Sequence, residues 1–258
     1  MGQSLSGKKA IVTGSARGLG AGIARILARE GADVLINYAH AASEEKAQRV
    51  ADALVKDYGV QSVPFQADVT REEAIPGLFD RAENAFGGPV TLLVNNAGIC
   101  PVVNIVDSDF KSWKDCLAAN VDSLFLTCRE FLRRNIPRGL PGRIINIASQ
   151  AAFNGSKNGK THYAASKGAV VSFGISLAKE TARYGILVNT VCPGMVLTEL
   201  TAGTLKNGEA IEKYNQSLPL GRLEEVSEVG EMVAFLAGDK ASYSTGAVFD
   251  ISGGMMSR

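Results

Sequence analysis

Histidine is nearly missing from this chain: its two copies, His40 and His162, are too few for a histidine-built metal centre. Cysteine is scarce as well. Cys100, Cys116, Cys128 and Cys192 show neither paired metal spacing nor a disulfide framework, and read as buried thiols in a reducing compartment. No metal is expected. An excess of one charge is also absent, since 27 basic and 26 acidic side chains leave a net +1, so nucleic acid is not an expected partner. The local cluster Arg129, Arg133, Arg134 and Arg138 reads as a solvated helix face. No apolar run approaches the length of a bilayer span, and the start of the chain has no signal-like segment. A cytoplasmic protein without membrane association is therefore expected. With 8 prolines, no Pro/Ser-rich linker, no composition break and no internal repeat, the chain reads as one domain over 1–258.

What is present alternates. Short apolar runs at 9–13, 34–38, 62–67, 91–95, 143–147, 187–191 and 247–251 read as strands. Amphipathic stretches at 18–30, 43–58, 72–86, 109–131, 163–184 and 226–236 read as helices. Apolar strands joined by crossover helices call for a parallel sheet covered on both faces. The expected fold is α/β, a Rossmann-like doubly wound domain with a central parallel seven-stranded sheet flanked by helices. The weakest pattern lies at 197–220, whose Gly, Thr, Lys and apolar mixture suits short helices forming a substrate lid.

Two motifs carry chemistry. Thr13-Gly14-Ser15-Ala16-Arg17-Gly18-Leu19-Gly20 falls where the first strand turns into the first helix, with Gly14 for the turn and Gly18 for approach of a pyrophosphate. Gly20 is expected to let the helix sit close to the sheet. The end of the second strand offers Asn37, Tyr38 and Ala39 where a carboxylate usually selects the unphosphorylated cofactor. A neutral Asn37, with Arg17 as a forked partner for a 2′-phosphate, favours NADP(H), NAD(H) remaining possible. The second motif is Tyr163-Ala-Ala-Ser-Lys167, one helical turn, which brings a phenol and an ammonium to one face. The ammonium is expected to lower the proton affinity of the phenol toward the working pH.

In these motifs the chain resembles the short-chain dehydrogenase/reductase family, and the resemblance covers nearly all of it. It rests on Thr13 to Gly20, Asp68-Val69, Asn95-Asn96-Ala97-Gly98, Asn120, Asn146 to Ser149, Tyr163 to Lys167, Pro193-Gly194 with Thr198, and Gly253-Gly254. The resemblance implies a catalytic set of Asn120, Ser149, Tyr163 and Lys167. Tyr163 would exchange the proton, Ser149 would bond the substrate oxygen, and Lys167 would bind the nicotinamide ribose. Asn120 would hold a water that passes protons toward Lys167. Asp68 and Val69 would hold the adenine, Asn96, Ala97 and Gly98 the adenosine ribose, and Pro193, Gly194, Val196 and Thr198 the nicotinamide end. Ser149 precedes Tyr163 by 14 positions where the family commonly has 13; the segment 154–160 can absorb one residue, with Ser156 read as turn chemistry. The resemblance also implies a homotetramer built on the helices that carry Phe125 and Phe173.

The expected substrate pocket is mostly apolar, with Cys100, Ala151, Phe153, Asn158, His162, Met195 and Leu200 on its walls or at its 197–205 entrance. A ketone or secondary alcohol without a required anionic group is the first reading. A 3-oxoacyl-[acyl-carrier-protein] reductase is the alternative, with Arg133, Arg134 and Arg183 to dock the acidic carrier. A sugar or polyol dehydrogenase and a non-catalytic nucleotide-sensing scaffold are the others.

Overall fold

The computed structural model describes residues 4–156, 159–199, 201 and 208–256. Strands β1 (Lys9–Val12), β2 (Asp33–Tyr38), β3 (Ser62–Gln66), β4 (Leu92–Asn95), β5 (Gly142–Ile147), β6 (Ile186–Pro193) and β7 (Val248–Ile251) form one sheet. Their order is β3-β2-β1-β4-β5-β6-β7, and every neighbouring pair is parallel. The chain builds outward from β1 to β3, then returns to lay β4 on the other side of β1. That reversal opens a crevice at the carboxyl ends of β1 and β4.

Parallel neighbours require crossovers, and helices supply them. They are α1 (Gly18–Arg29), α2 (Glu44–Tyr58), α3 (Ile75–Phe86), α4 (Phe110–Leu117), α5 (Ser123–Asn135), α6 (Ala151–Asn154), α7 (Thr161–Thr181), α8 (Gly208–Gln216) and α9 (Val226–Ala237). Alternation along each strand divides the core into two layers. Ala10, Val12, Val34 and Ile36 pack with Ile23 and Leu27 of α1 and Val233 of α9. Ile11, Leu35 and Leu93 face the other way, onto Leu78, Phe79, Phe131 and Val170. Pro64 interrupts β3 without harm because β3 is an edge strand paired only to β2.

The helix expected over 109–131 is in fact two helices joined by a π-helical turn, Ala118–Asp122, and it runs on to Asn135. A π turn accommodates one more residue than an α turn and so changes which side chains face inward. Here the inward side chain is Asn120, 3% exposed. The helix expected at 163–184 begins at Thr161, which puts Tyr163 in its first turn, and it ends in a 3₁₀ turn, Ala182–Tyr184. Within 197–220 the described residues hold one helix, α8; Leu200, Leu205 and most of the expected entrance lie outside the described residues.

Close approach of α1 and α9 is the contact the sequence least suggested. A Cβ on Gly22 would fall 1.9 Å from Val226 Cγ1, and one on Gly230 would fall 2.6 Å from Ile26 Cγ1. Overpacking such a contact costs about 1–3 kcal/mol. Gly22→Ala is therefore expected to lower stability in urea unfolding by that amount, and Val226→Ala in the same chain to cancel part of the loss.

Candidate active site

The glycine-rich turn lies at the crevice. Gly14 and Gly18 adopt φ of +62° and +55°, which residues with a Cβ rarely hold. Arg17 is the N-cap of α1 but its side chain caps nothing, so the first-turn amides stay available to an anion. Gly20 serves the turn more than the sheet: a Cβ there would lie 2.5 Å from both Asn96 Nδ2 and Gly14 O.

Side-chain amides and hydroxyls weld this turn to the strand ends. Thr13 Oγ1 accepts from the backbone N–H of Asn96 and of Ala97, each at 3.0 Å. Asn96 Nδ2 donates to Thr13 O at 3.0 Å and Gly14 O at 3.1 Å. Ser15 Oγ donates to Val12 O at 2.6 Å and accepts from Asn37 N at 3.0 Å. Asn37 itself accepts from Gly14 N at 3.1 Å and donates to Ala67 O at 2.9 Å. The side chains of Asn37 and Ser15 are thus buried and committed inward, and neither faces the crevice as expected. Their polar groups replace ladder partners that run out where β1 and β2 end. Tyr38 is buried, whereas Ala39, just beyond β2, keeps some exposure. Asp68 Oδ1 accepts from Thr70 N at 3.0 Å and Thr70 Oγ1 at 2.7 Å, and Val69 is buried beside it. Arg17 is exposed and pairs with Glu199.

Deeper along the crevice, Ser149, Tyr163, Lys167 and Asn120 come together. The Ser149 hydroxyl is hydrogen-bonded to the Tyr163 phenol, and Ser149 Oγ also accepts from Ala151 N at 3.1 Å. Lys167 is 5% exposed; its Nζ donates to Ile147 O at 2.7 Å and lies 5.8 Å from the centre of the Tyr163 ring. Asn120 clasps Ile99, accepting from its N–H at 2.8 Å and donating to its carbonyl at 3.0 Å, and also donates to Ser166 Oγ at 2.8 Å. Ser166 Oγ in turn donates to Tyr163 O at 2.7 Å, which ties the clasp to the first turn of α7. Gly98 leaves room for this: a Cβ there would sit 2.7 Å from Asn120 Oδ1 and 3.8 Å from Lys167 Nζ. Both Nδ2 hydrogens of Asn120 are thereby committed, while Oδ1, with one bond accepted, keeps a second lone pair.

The expected lowering of the Tyr163 proton affinity is not found in this state. Burial pushes the phenol above its ordinary value and the nearby Cys100 thiol adds to this, while the bond from Ser149 works the other way. Burial also brings Lys167 down to about 8. Desolvation outweighs the cation, whose nearest partner is a backbone carbonyl.

Among the remaining expected positions, Gly194 lies against Ser252, Val196 is buried, and Thr198 rests over Gly18, 3.7 Å from where a Cβ would be. Glu224 was not anticipated, because its place in a charged run before α9 looks like surface. Its Oε2 accepts from Gly194 N at 2.8 Å, its N–H donates to Met195 O at 3.3 Å, and its Oε1 is buried without a partner. Burial pushes Glu224 up to about 8, against the pull of the Gly194 N–H.

On the substrate side, Cys100, Ala151 and Met195 are half-buried and Phe153 is 42% exposed. His162 is 1% exposed with Nε2 unpartnered, so it offers no face to a substrate, contrary to expectation; the start of α7 folds it inward. Asn158 and Leu200 lie outside the described residues. Cys116, Cys128 and Cys192 are buried thiols. Among the described residues no cluster could hold a metal ion, and no helix is long and apolar enough to cross a membrane.

Comparison with known proteins agrees with this geometry. Residues 14–256 match a family model described as enoyl-(acyl carrier protein) reductase. A 3-oxoacyl-[acyl-carrier-protein] reductase of Aquifex aeolicus is 38% identical, over 97% of this chain and 98% of its own. A short-chain type dehydrogenase/reductase from Mycobacterium marinum superposes with a TM-score of 0.92 at 32% identity, covering 99% of this chain and 98% of its own. A blue fluorescent protein from a metagenomic library, solved in complex with NADPH, gives 0.89 at 34% identity, covering 98% of this chain and 100% of its own. The chain belongs to the short-chain dehydrogenase/reductase family. Within that family it is an NAD(P)-dependent oxidoreductase acting on CH–OH and C=O groups.

Glu224 gives a pH signature. The unfolded side chain ionises near 4.5, whereas the folded one keeps its proton to about 8. The native state then binds more protons between these values, so its stability falls as pH rises through that window. Thermal unfolding of Glu224→Gln is expected to match the parent below the window and to exceed it by a few degrees above.

Proposed function

We propose that this protein interconverts ketones and secondary alcohols with NADP(H), and that Tyr163 transfers the proton. The observation that carries the reading is the half-buried Tyr163, its phenol bonded to Ser149, one turn from Lys167, in the same crevice as the uncapped α1 N-terminus. The crevice fits a dinucleotide, with the first-turn amides and the left-handed glycines at 14 and 18 on its floor. Hydride transfer is the chemistry such a cofactor supplies when bound. Arg17 supplies a forked cation for a 2′-phosphate, and Asn37, Tyr38 and Ala39 set no carboxylate against it. The NADPH complex of the 34% identical protein supports the same choice.

Charge develops on the substrate oxygen as the carbonyl is reduced, and donors aimed at it stabilise the transition state selectively. Ser149 Oγ and Tyr163 Oη are those donors, and Tyr163 Oη releases its proton to that oxygen. The Lys167 ammonium stabilises the phenolate left behind. Asn120 acts through Ile99 and Ser166 as a positioning residue. One catalytic domain spans the chain in this reading, and assembly as a homotetramer fits the 46% exposed Phe125.

Ile99, Val102, Phe153 and Leu197, on the segments that follow β4, β5 and β6, are all 38% exposed or more, which favours an apolar substrate. The Aquifex relative favours a second reading, 3-oxoacyl thioesters, an acyl carrier protein being the natural carrier. Arg134 contributes nothing to such docking, because Asp80, Glu83 and Glu130 already surround it.

NADPH-driven reduction should be assayed with apolar ketones and 3-oxoacyl thioesters across pH. The expected kcat/KM falls as pH rises through about 8, where Lys167 loses its proton, and Lys167→Met abolishes that limb. A flat profile in the parent would count against Lys167 in this role.

A further inference from the structure

Glu199 occupies an unusual place. It follows Thr198, whose backbone is held in a tight turn: Thr198 N donates to Thr201 Oγ1 at 2.9 Å, and Thr201 N donates to Thr198 O at 3.0 Å. Thr198 rests over Gly18, so this turn lies on the glycine-rich loop. From it the Glu199 carboxylate reaches two cations on different helices. Oε2 meets Arg17 at the start of α1, and Oε1 lies 3.5 Å from Lys46 Nζ in the first turn of α2. One carboxylate thus joins the N-termini of α1 and α2 across the carboxyl end of β2, and the two cations hold it below the usual carboxylate range. It sits where the adenosine half of a dinucleotide meets a doubly wound sheet.

We propose that Arg17 and Lys46 together form the 2′-phosphate subsite, and that Glu199 fills it as an internal anion which the phosphate must displace. The inference rests on the reading that the cofactor is NADP(H) and that Arg17 meets its 2′-phosphate. A phosphomonoester carries close to two charges and three acceptor oxygens at neutral pH, against one charge and two oxygens for a carboxylate. It therefore outcompetes Glu199 for two cations. A ribose 2′-hydroxyl brings no charge and leaves the Arg17–Glu199–Lys46 arrangement in place. Lys46 becomes a residue that discriminates between the two cofactors, and Glu199 one that weakens the phosphorylated cofactor alone. All three side chains are 44% exposed or more, so each pair is screened and the effects are modest.

The test is fluorescence titration of NADPH and NADH against the parent, Glu199→Gln, Lys46→Met and Arg17→Met. Glu199→Gln should tighten NADPH by about three- to tenfold and Lys46→Met should weaken it by a similar factor, with NADH changing less than about twofold in both. NADH binding also reports that each variant is folded. Equal shifts for both cofactors, or no shift for NADPH, would overturn the proposal. Arg17→Met separates the two levels. If it removes an NADPH preference that the Lys46 and Glu199 variants leave intact, only this inference fails. If the parent shows no NADPH preference and Arg17→Met changes nothing, the cofactor reading itself fails, and this inference with it.

Discussion

The constraint on which the crevice depends is the end of the hydrogen-bond ladder. Where β1, β2 and β4 stop, backbone groups lose their partners, yet the space above must stay open for a dinucleotide. Three asparagines resolve this. Asn37 bonds Gly14 N and Ala67 O, Asn96 bonds Thr13 O and Gly14 O, and Asn120 bonds both polar groups of Ile99. An asparagine suits each place because one planar amide offers both a donor and an acceptor. The turn between β1 and α1 is fixed without any side chain entering the crevice, and the segment after β4 is fixed to the helix pair that crosses it.

From those clasps the chemistry follows outward. Asn120 reaches Ile99 because a π turn rotates it inward, and the same amide holds Ser166, which bonds the carbonyl of Tyr163. The position of the phenol is therefore set from the floor of the crevice as well as by α7. Burial keeps the phenol protonated and lowers the Lys167 ammonium to about 8, so it drives apart two groups that ordinarily ionise near 10.0 and 10.5.

Much of this was legible from the residues, and unevenly so. Buried parallel strands are continuous apolar runs, so the five inner strands stood out; the half-buried edge strands β3 and β7 showed through shorter apolar stretches, and the glycine-rich turn and the Tyr163/Lys167 pair follow from fixed local spacing. The π turn had no local signature, because 109–135 keeps one amphipathic pattern and the break is stabilised by a contact with Ile99, far off in sequence. A strand end shows which residue is last but not which way its amide is drawn, so the sequence points Asn37 to the crevice and the fold draws it inward. His162 was placed on the pocket wall from its neighbour in the chain, and α7 buries it instead. Glu224 was hidden among charges; only the fold brings Gly194 N to it. Gly22 and Gly230 carry no local signal, and only the approach of α1 to α9 gives them a role.

The most direct test of proton transfer by Tyr163 is a paired measurement on Tyr163→Phe, with NADPH binding by titration and single-turnover reduction of an apolar ketone. Binding within about twofold of the parent, with turnover slowed by about 10²–10⁴, is the expected result. Turnover retained at the parent rate would contradict it.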